Sequence, residues 1–565
     1  MARAQGIRPS QFITTYGPGA LLEGVGGPRV VMSLDKSNLF QTLGVEQFEI
    51  VEPALHQILG GTSRFFRMPT NADLGRPETD AIYETNTFPK WSLCVRHGLI
   101  YRHSYGARRA CPDCPAQASP RDAHTRARLE AISLVMACPQ GHLFDVDWLR
   151  LVHKKDSPCQ ADHLLWVSRG SSLRRVEIRC RLCQAYTNLG EHYLKEHLCK
   201  GFFAEGRDHE TCPCKAKIVQ RGAANLFTPE SLSSITVPRV STPLMRALRH
   251  TALVNLLSLI SAPAQLRQLA QTAQGLPHEF RELLASASDE ELATAVEQAQ
   301  QQSTELTPAQ ARQIEFRELQ AAVQHGLKFQ SPNSPAWAAS EFEVDPALSR
   351  TLSFPPFQLR VTPILRLRVV TAQTGYRRLG GRLVSAAYAY ANSSWYPAVE
   401  LLGEGIFIDF AQPPAFAETS AWQWWTKHHN DTDLPHHKPS FVWWHTLAHR
   451  LIRALAIHSG YSSASVRERI YEEGMLLYAV QPGGDGTLGG LIAMVERFES
   501  ILREAVGYLD NCSNDPFCAQ TPRHPGEMLA SGPACYACSL LSETSCEHRN
   551  SSLDRILLLD SLQED

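Results

Sequence analysis

Cysteine and histidine pairs at metal-ligand spacing are the residues of this chain best equipped for chemistry. Cys94-x2-His97 is followed 13 residues later by Cys111-x2-Cys114. Each short pair sits on a tight turn that aims two soft donors at one point, and two such pairs complete a tetrahedral zinc shell. A second, looser set is Cys138-x3-His142 with His153 and Cys159. Its donor types are right, its order is less regular, and satisfied core histidines are the competing explanation. A third is Cys180-x2-Cys183 with Cys199 and one member of the Cys212/Cys214 pair, Cys212 being preferred and the other a spectator. At the C-terminus five cysteines compete for four places. Cys518, Cys535, Cys538 and Cys546 are favoured there, with Cys512 either spare or the true first ligand. Three or four structural zinc ions are expected.

All four shells look full, whereas a catalytic zinc keeps one position open for water with a carboxylate base nearby. His445-x3-His449 invites comparison with the zinc-protease signature, because the two imidazoles share a helix face. That signature needs Glu after the first His, and Thr446 stands there instead. A packed or backbone-bonded pair is therefore the default reading. The glycine-rich turn from Gly483 to Gly490 lacks the Lys-Ser/Thr of a phosphate loop, and GxxxxGK[ST] occurs nowhere in the chain. The chain is not expected to hydrolyse ATP by the P-loop route, and no catalytic residue is assigned.

Ten of the 15 cysteines lie between Cys94 and Cys214 and five between Cys512 and Cys546, with none in the roughly 300 residues between. The N-terminus, MARAQGIRPSQFITTYG, has no apolar signal core and no stretch is long enough to span a membrane, so a cytoplasmic protein is expected. Cytosolic thiols stay reduced, which favours metal sites over disulfides. Hydrophobic residues (43%) and charged residues (20%) are those of an ordinary folded chain. Net charge is -2, yet Trp91 to Arg221 carries 21 Lys/Arg against 13 Asp/Glu, a local +8, leaving -10 for the rest. Arg108, Arg109, Arg174, Arg175 and Arg179 lie in this basic segment and are the candidates for DNA phosphate contact. A solvated basic face, or a face that docks an acidic protein, is nearly as good an explanation.

The elements that must position these groups point to an α+β, multidomain fold. Small zinc modules and a C-terminal four-cysteine zinc domain cap larger mixed layers, because ribbons this small cannot bury enough core unaided. At about 150 residues per domain, 565 residues make three or four. The expected divisions are an N-terminal α/β segment (1–90), a zinc-ribbon-rich basic region (91–221), an extended segment and helical arm (222–330), a β-rich middle (331–440) and a C-terminal helicase-associated zinc-binding domain (441–565). FQLRVTPILRLRVVTA and WYPAVELLGEGIFIDF read as strands and Phe441–His458 as a helix.

Several stretches together resemble a known family. They are RPSQFITTYGPGALL, ACPQGHLFDVDW, QRGAANLF with ITVP, GEGIF, HTLAH, SGYSSASVRERIY, GTLGGL and the tail ACYACSLLSETSCEHRNSSLDRILL. The family is DrmB, the zinc-domain component of the bacterial DISARM anti-phage defence system. The tail alone is less specific, since similar four-cysteine domains are appended to some superfamily 2 helicases. The resemblance implies a non-motor subunit that partners a separate DrmA-like helicase in a heterodimer engaging DNA, with ATPase activity in the partner and no membrane involved. Family members often have CxxC where this chain has Cys94-x2-His97. Two alternatives stay open: a purely structural partner that never contacts DNA, and a zinc-dependent hydrolase or nuclease using His445/His449 or the His142 region.

Overall fold

A computed structural model describes residues 6–24, 27–60, 63–102, 111–114, 129–153, 158–236, 243–260, 262–301, 306–325, 327–328, 342–429, 438–481, 489–524, 532–542 and 544–562. The chain forms two compact units, each assembled from separated stretches. One comprises Met1–Phe48, Arg64–Leu232 and Ala372–Val399; the other comprises Glu49–Ser63, Ser233–Thr371 and Glu400–Asp565. Helix and sheet are mixed throughout, as α+β composition requires. Among the described residues no helix is long and apolar enough to cross a membrane.

The first unit is built on small antiparallel sheets. One is six-stranded, in the order Tyr186–Asn188, Val176–Arg179, His163–Ser168, Leu99–Arg102, Trp91–Cys94, Leu129–Ala131. Another is four-stranded, in the order His197–Leu198, Lys215–Gln220, Leu134–Ala137, Leu143–Phe144. These strands are two to six residues long and share one modest core, which includes Ile100, Met136, Trp148, Leu164, Ile178 and Ile218. Cys138 and Cys180 are themselves fully buried members of that core. Strand pairs this short are marginal unless something further ties them together.

The second unit has a larger sheet. Within this unit Phe342–Val344 pairs with residues 357–371 of the strand Phe357–Arg377, which neighbour residues 400–410 of the strand Ser393–Phe410, then Gly474–Gln481, then Val466–Ile470 at the edge. Side chains alternate across it, as the two-residue strand period demands. Ile406 and Ile408 point into one core and Phe407 into another; Met475 and Leu477 share the first, Leu476 and Tyr478 the second. The helix Pro439–His458 lies on the first face. Its Pro at the N-terminal turn has no N–H to orphan. Val442, Leu447, Leu451 and Leu455 are fully buried against the sheet. Phe316 and Leu319 of the helix Pro308–His325 fill the other face. The upstream helices pack on each other through Met245, Leu248, Leu266, Leu284 and Leu292. The helical region is thus a packed layer rather than an exposed arm, because its sparse apolar residues fall on facing stripes.

Candidate metal centres

Three of the short donor pairs, Cys94/His97, Cys138/His142 and Cys180/Cys183, occupy β-hairpin turns. Cys94 ends the strand Trp91–Cys94, and the chain turns through His97 and Gly98 into Leu99–Arg102. Gly98 adopts φ +61, a left-handed turn that glycine enters without strain. Cys111 and Cys114 complete the group: His97 Nδ1 lies 3.6 Å from the Sγ of Cys94 and Cys111, and 3.5 Å from that of Cys114. This is the foursome that spacing predicts.

The next two groups are regrouped by the fold. Cys138 and His142 flank the turn between Leu134–Ala137 and Leu143–Phe144, with Gly141 at φ +92. Their partners are Cys199 and Cys212, not His153 and Cys159. His142 Nδ1 is 3.2 Å from Cys138 Sγ, which lies 3.6 Å from Cys199 and 4.0 Å from Cys212. His153 and Cys159 instead join Cys180 and Cys183. Cys159 and Cys180 are 3.7 Å apart.

The reason is sheet register. Lys217 pairs with Ala137 and Lys215 with Leu198, which delivers Cys212 and Cys199 to Cys138. Leu165 pairs with Arg179, which delivers Cys159 to Cys180. Neighbouring strands, rather than neighbouring motifs, choose the partners. Cys214 accepts the Cys199 N–H through its carbonyl (3.3 Å) and belongs to none of the groups.

The C-terminal set is corrected as well. Cys512, Cys518, Cys535 and Cys538 come together, so Cys512 replaces Cys546. Cys512 and Cys535 are 3.5 Å apart; Cys518 and Cys538, and Cys535 and Cys538, are both 3.8 Å apart. Helix Pro439–His458 grips this knuckle: Arg450 Nη1 donates to Cys538 O (2.8 Å) and Arg453 Nη2 to Ala537 O (2.9 Å). Cys546 lies instead beside His445, His449 and Glu468. Glu468 was invisible in the sequence because nothing local marks an isolated acid on a strand. Thr446 also finds its reason. Its hydroxyl donates to Val442 O (2.7 Å) and accepts the Asp554 N–H (3.0 Å), tying the tail to the helix where a protease would carry its base.

These groups fit zinc on their own chemistry. Bonds of about 2.0–2.3 Å make a tetrahedron with edges of roughly 3.3–3.8 Å, close to the 3.2–4.0 Å separations above. All 15 cysteines are free thiols. Backbone N–H groups point at the sulfurs: Gly201 N–H to Cys199 (3.4 Å), Asn514 N–H to Cys512 (3.5 Å), Cys535 N–H to Cys538 (3.4 Å). Burial opposes ionisation of Cys180, but the Cys183 N–H, His153 and the Leu182 N–H hold its thiol down to about 6. Burial pushes the Cys199 thiol up to about 12. The chain's cofactor is zinc in several structural sites. His153 donates through Nδ1 to Leu149 O (2.9 Å), and His142 places Nε2 3.6 Å from Glu210. The His153 bond is the kind of outer contact that orients a metal-binding imidazole.

Of the candidate DNA contacts, Arg174 and Arg175 are exposed on the short turn Leu173–Arg175. Arg179 is half-buried and donates to Glu177 (2.5 and 2.9 Å). Arg108 and Arg109 lie outside the described residues, as does most of the Gly483–Gly490 turn.

Residues 8–228 match a family described as a domain of unknown function (DUF8724), and residues 447–539 match the MrfA Zn-binding domain. DISARM protein DrmB of Bacillus paralicheniformis is 26% identical over 500 residues, covering 80% of this chain and 82% of that one. The resemblance read from the motifs therefore extends over most of the chain. A solved structure, the DUF1998 helicase MrfA bound to DNA, aligns with 40% of this chain at 13% identity and a TM-score of 0.21. The chain spans about a quarter of that helicase (24%).

Proposed function

We propose that this chain is the non-motor accessory subunit of an anti-phage defence complex of the DISARM type, binding a superfamily 2 helicase of the DrmA kind and helping it to engage DNA. The observation that carries this reading is the similarity to DISARM protein DrmB across 80% of the chain. The absence of a Walker A loop from all 565 residues supports an accessory role, with nucleotide turnover left to the partner. Bound zinc supplies cross-links between distant backbone segments. The chain's own residues do the rest: hairpin turns hold the basic surface in place, and Arg174 and Arg175 present free guanidinium groups on it. In this reading the chain resides in the cytoplasm with its partner.

Co-expression with a superfamily 2 helicase of the DrmA kind tests the reading. The two chains are expected to purify as one complex, and the lone chain to show no nucleotide turnover. Separate elution at micromolar concentration, or turnover by the lone chain, would reject it. Charge reversal of Arg108, Arg109, Arg174, Arg175 and Arg179 together is expected to weaken DNA binding for every sequence and flatten its salt dependence. Unchanged affinity of the complex would remove the arginines from the DNA path.

A further inference from the structure

We propose that His445, His449, Glu468 and Cys546 hold a further divalent transition-metal ion of the zinc class, in a closed, mixed-donor site separate from the four-cysteine knuckle. Donor direction carries the argument. His445 Nδ1 lies 3.2 Å from Ser552 O and His449 Nδ1 lies 2.7 Å from Ser539 O. A carbonyl only accepts, so each Nδ1 carries the proton and donates. Each Nε2 is left with its lone pair turned inward. His445 Nε2 faces a Glu468 oxygen at 2.8 Å and Cys546 Sγ at 3.3 Å; His449 Nε2 faces both Glu468 oxygens at 3.3 Å.

Cys546 is turned inward in the same way. Its sulfur accepts the backbone N–H groups of His548 (3.3 Å) and Asn550 (3.2 Å). Oε2 of Glu468 is buried and takes no hydrogen bond from any described residue. Four ligand atoms thus converge, all within 4.8 Å of one another. A single cation at their centre would engage all four.

A divalent ion also balances the charge of these donors. One carboxylate and one thiolate against a divalent ion leave the site neutral. Neutrality matters here, because His445, His449 and Glu468 are each 0% exposed and an uncompensated charge would be very costly. Two imidazole nitrogens, a thiolate and a carboxylate are all established zinc donors. Complete burial and four protein ligands leave no open position for water or substrate. The site is therefore a staple rather than a hydrolytic centre, which disposes of the resemblance of His445-x3-His449 to a protease. It joins the helix Pro439–His458, the edge strand Val466–Ile470 and the tail. His445 and Cys546 both lie outside the 447–539 stretch matched by the zinc-binding family.

Crystals of the full-length chain purified without chelator provide the test. Anomalous difference maps are recorded on either side of the zinc edge. A peak about 2.3 Å from Cys546 Sγ and about 2.0–2.1 Å from both Nε2 atoms is expected. A peak at Cys512–Cys538 with none at His445 would overturn the proposal. Metal counting by mass spectrometry on Cys546→Ala gives a second reading. A loss of one ion per chain is expected; an unchanged count in a folded variant would overturn the site. The wild-type map does not depend on how that variant folds.

Discussion

The two cysteine-rich regions use similar donors for different physical ends. In the first unit the groups stand inside the core. Cys138 and Cys180 pack among Ile178, Leu164 and Met136, and strands of two to six residues depend on them. In the second unit the sheet has large apolar cores on both faces. There the groups fasten a turn-rich tail, roughly residues 509–555, to a helix already held by Leu447, Leu451 and Leu455. Charge differs in parallel. Each of the first three groups is Cys3His and retains one negative charge around a divalent ion; the knuckle at Cys512–Cys538 retains two. The comparison teaches that a metal substitutes for core where core is scarce, and anchors a segment where core is plentiful.

Removing metal should break this symmetry most visibly. A strong chelator is expected to unfold residues 129–221, since structural zinc contributes on the order of 10 kcal/mol. The helix and sheet of 439–481 should persist. Limited proteolysis with mass mapping of the fragments would check this. First cuts within 439–481 would contradict the division.

The second unit should instead answer to its buried charges. Glu315 accepts from Arg469 Nε (2.7 Å) and Nη2 (2.6 Å), from Tyr471 OH (2.6 Å) and from the Ile235 N–H (3.2 Å). Glu315→Gln is expected to cost about 3–5 kcal/mol in urea unfolding, because it leaves Arg469 buried without its main partner. Burial pushes the Glu315 carboxyl up, but the Arg469 guanidinium overrides this and holds it below the ordinary carboxylate range. A carboxyl lowered on folding contributes stability that is complete above its unfolded value. That stability is lost as pH falls below it toward the folded value. The variant should lack this acid slope.

Zinc counting sharpens the comparison at the level of single ligands. Because His153 and Cys180 share a group, the double variant His153→Ala/Cys180→Ser should lose one ion per chain. Neighbour-in-sequence grouping would make that loss two. His142→Ala with Cys199→Ser should likewise lose one. The smallest effect belongs to Cys214→Ser, with an unchanged zinc count and stability within roughly 0.5 kcal/mol. A lost ion there would return Cys214 to a ligand set.

The short pairs were legible because their geometry is local. Two or three residues between donors, with Gly98 or Gly141 at the turn, leave little freedom about where the side chains aim. The strands FQLRVTPILRLRVVTA and WYPAVELLGEGIFIDF and the helix around HTLAH were legible from periodicity for the same reason. The third and fourth ligand of a group come from other strands, and their choice rests on which strands pair and in what register.

The amino-acid order by itself determined the donor inventory, the hairpin knuckles, the missing phosphate loop and the family resemblance, since each depends on residues close together in the chain. Tertiary structure alone decided that Cys159 goes to Cys180, that Cys512 displaces Cys546, and that Glu468 meets His445 and His449. Those outcomes depend on contacts between distant segments, where burial and strand pairing act together and spacing carries no information.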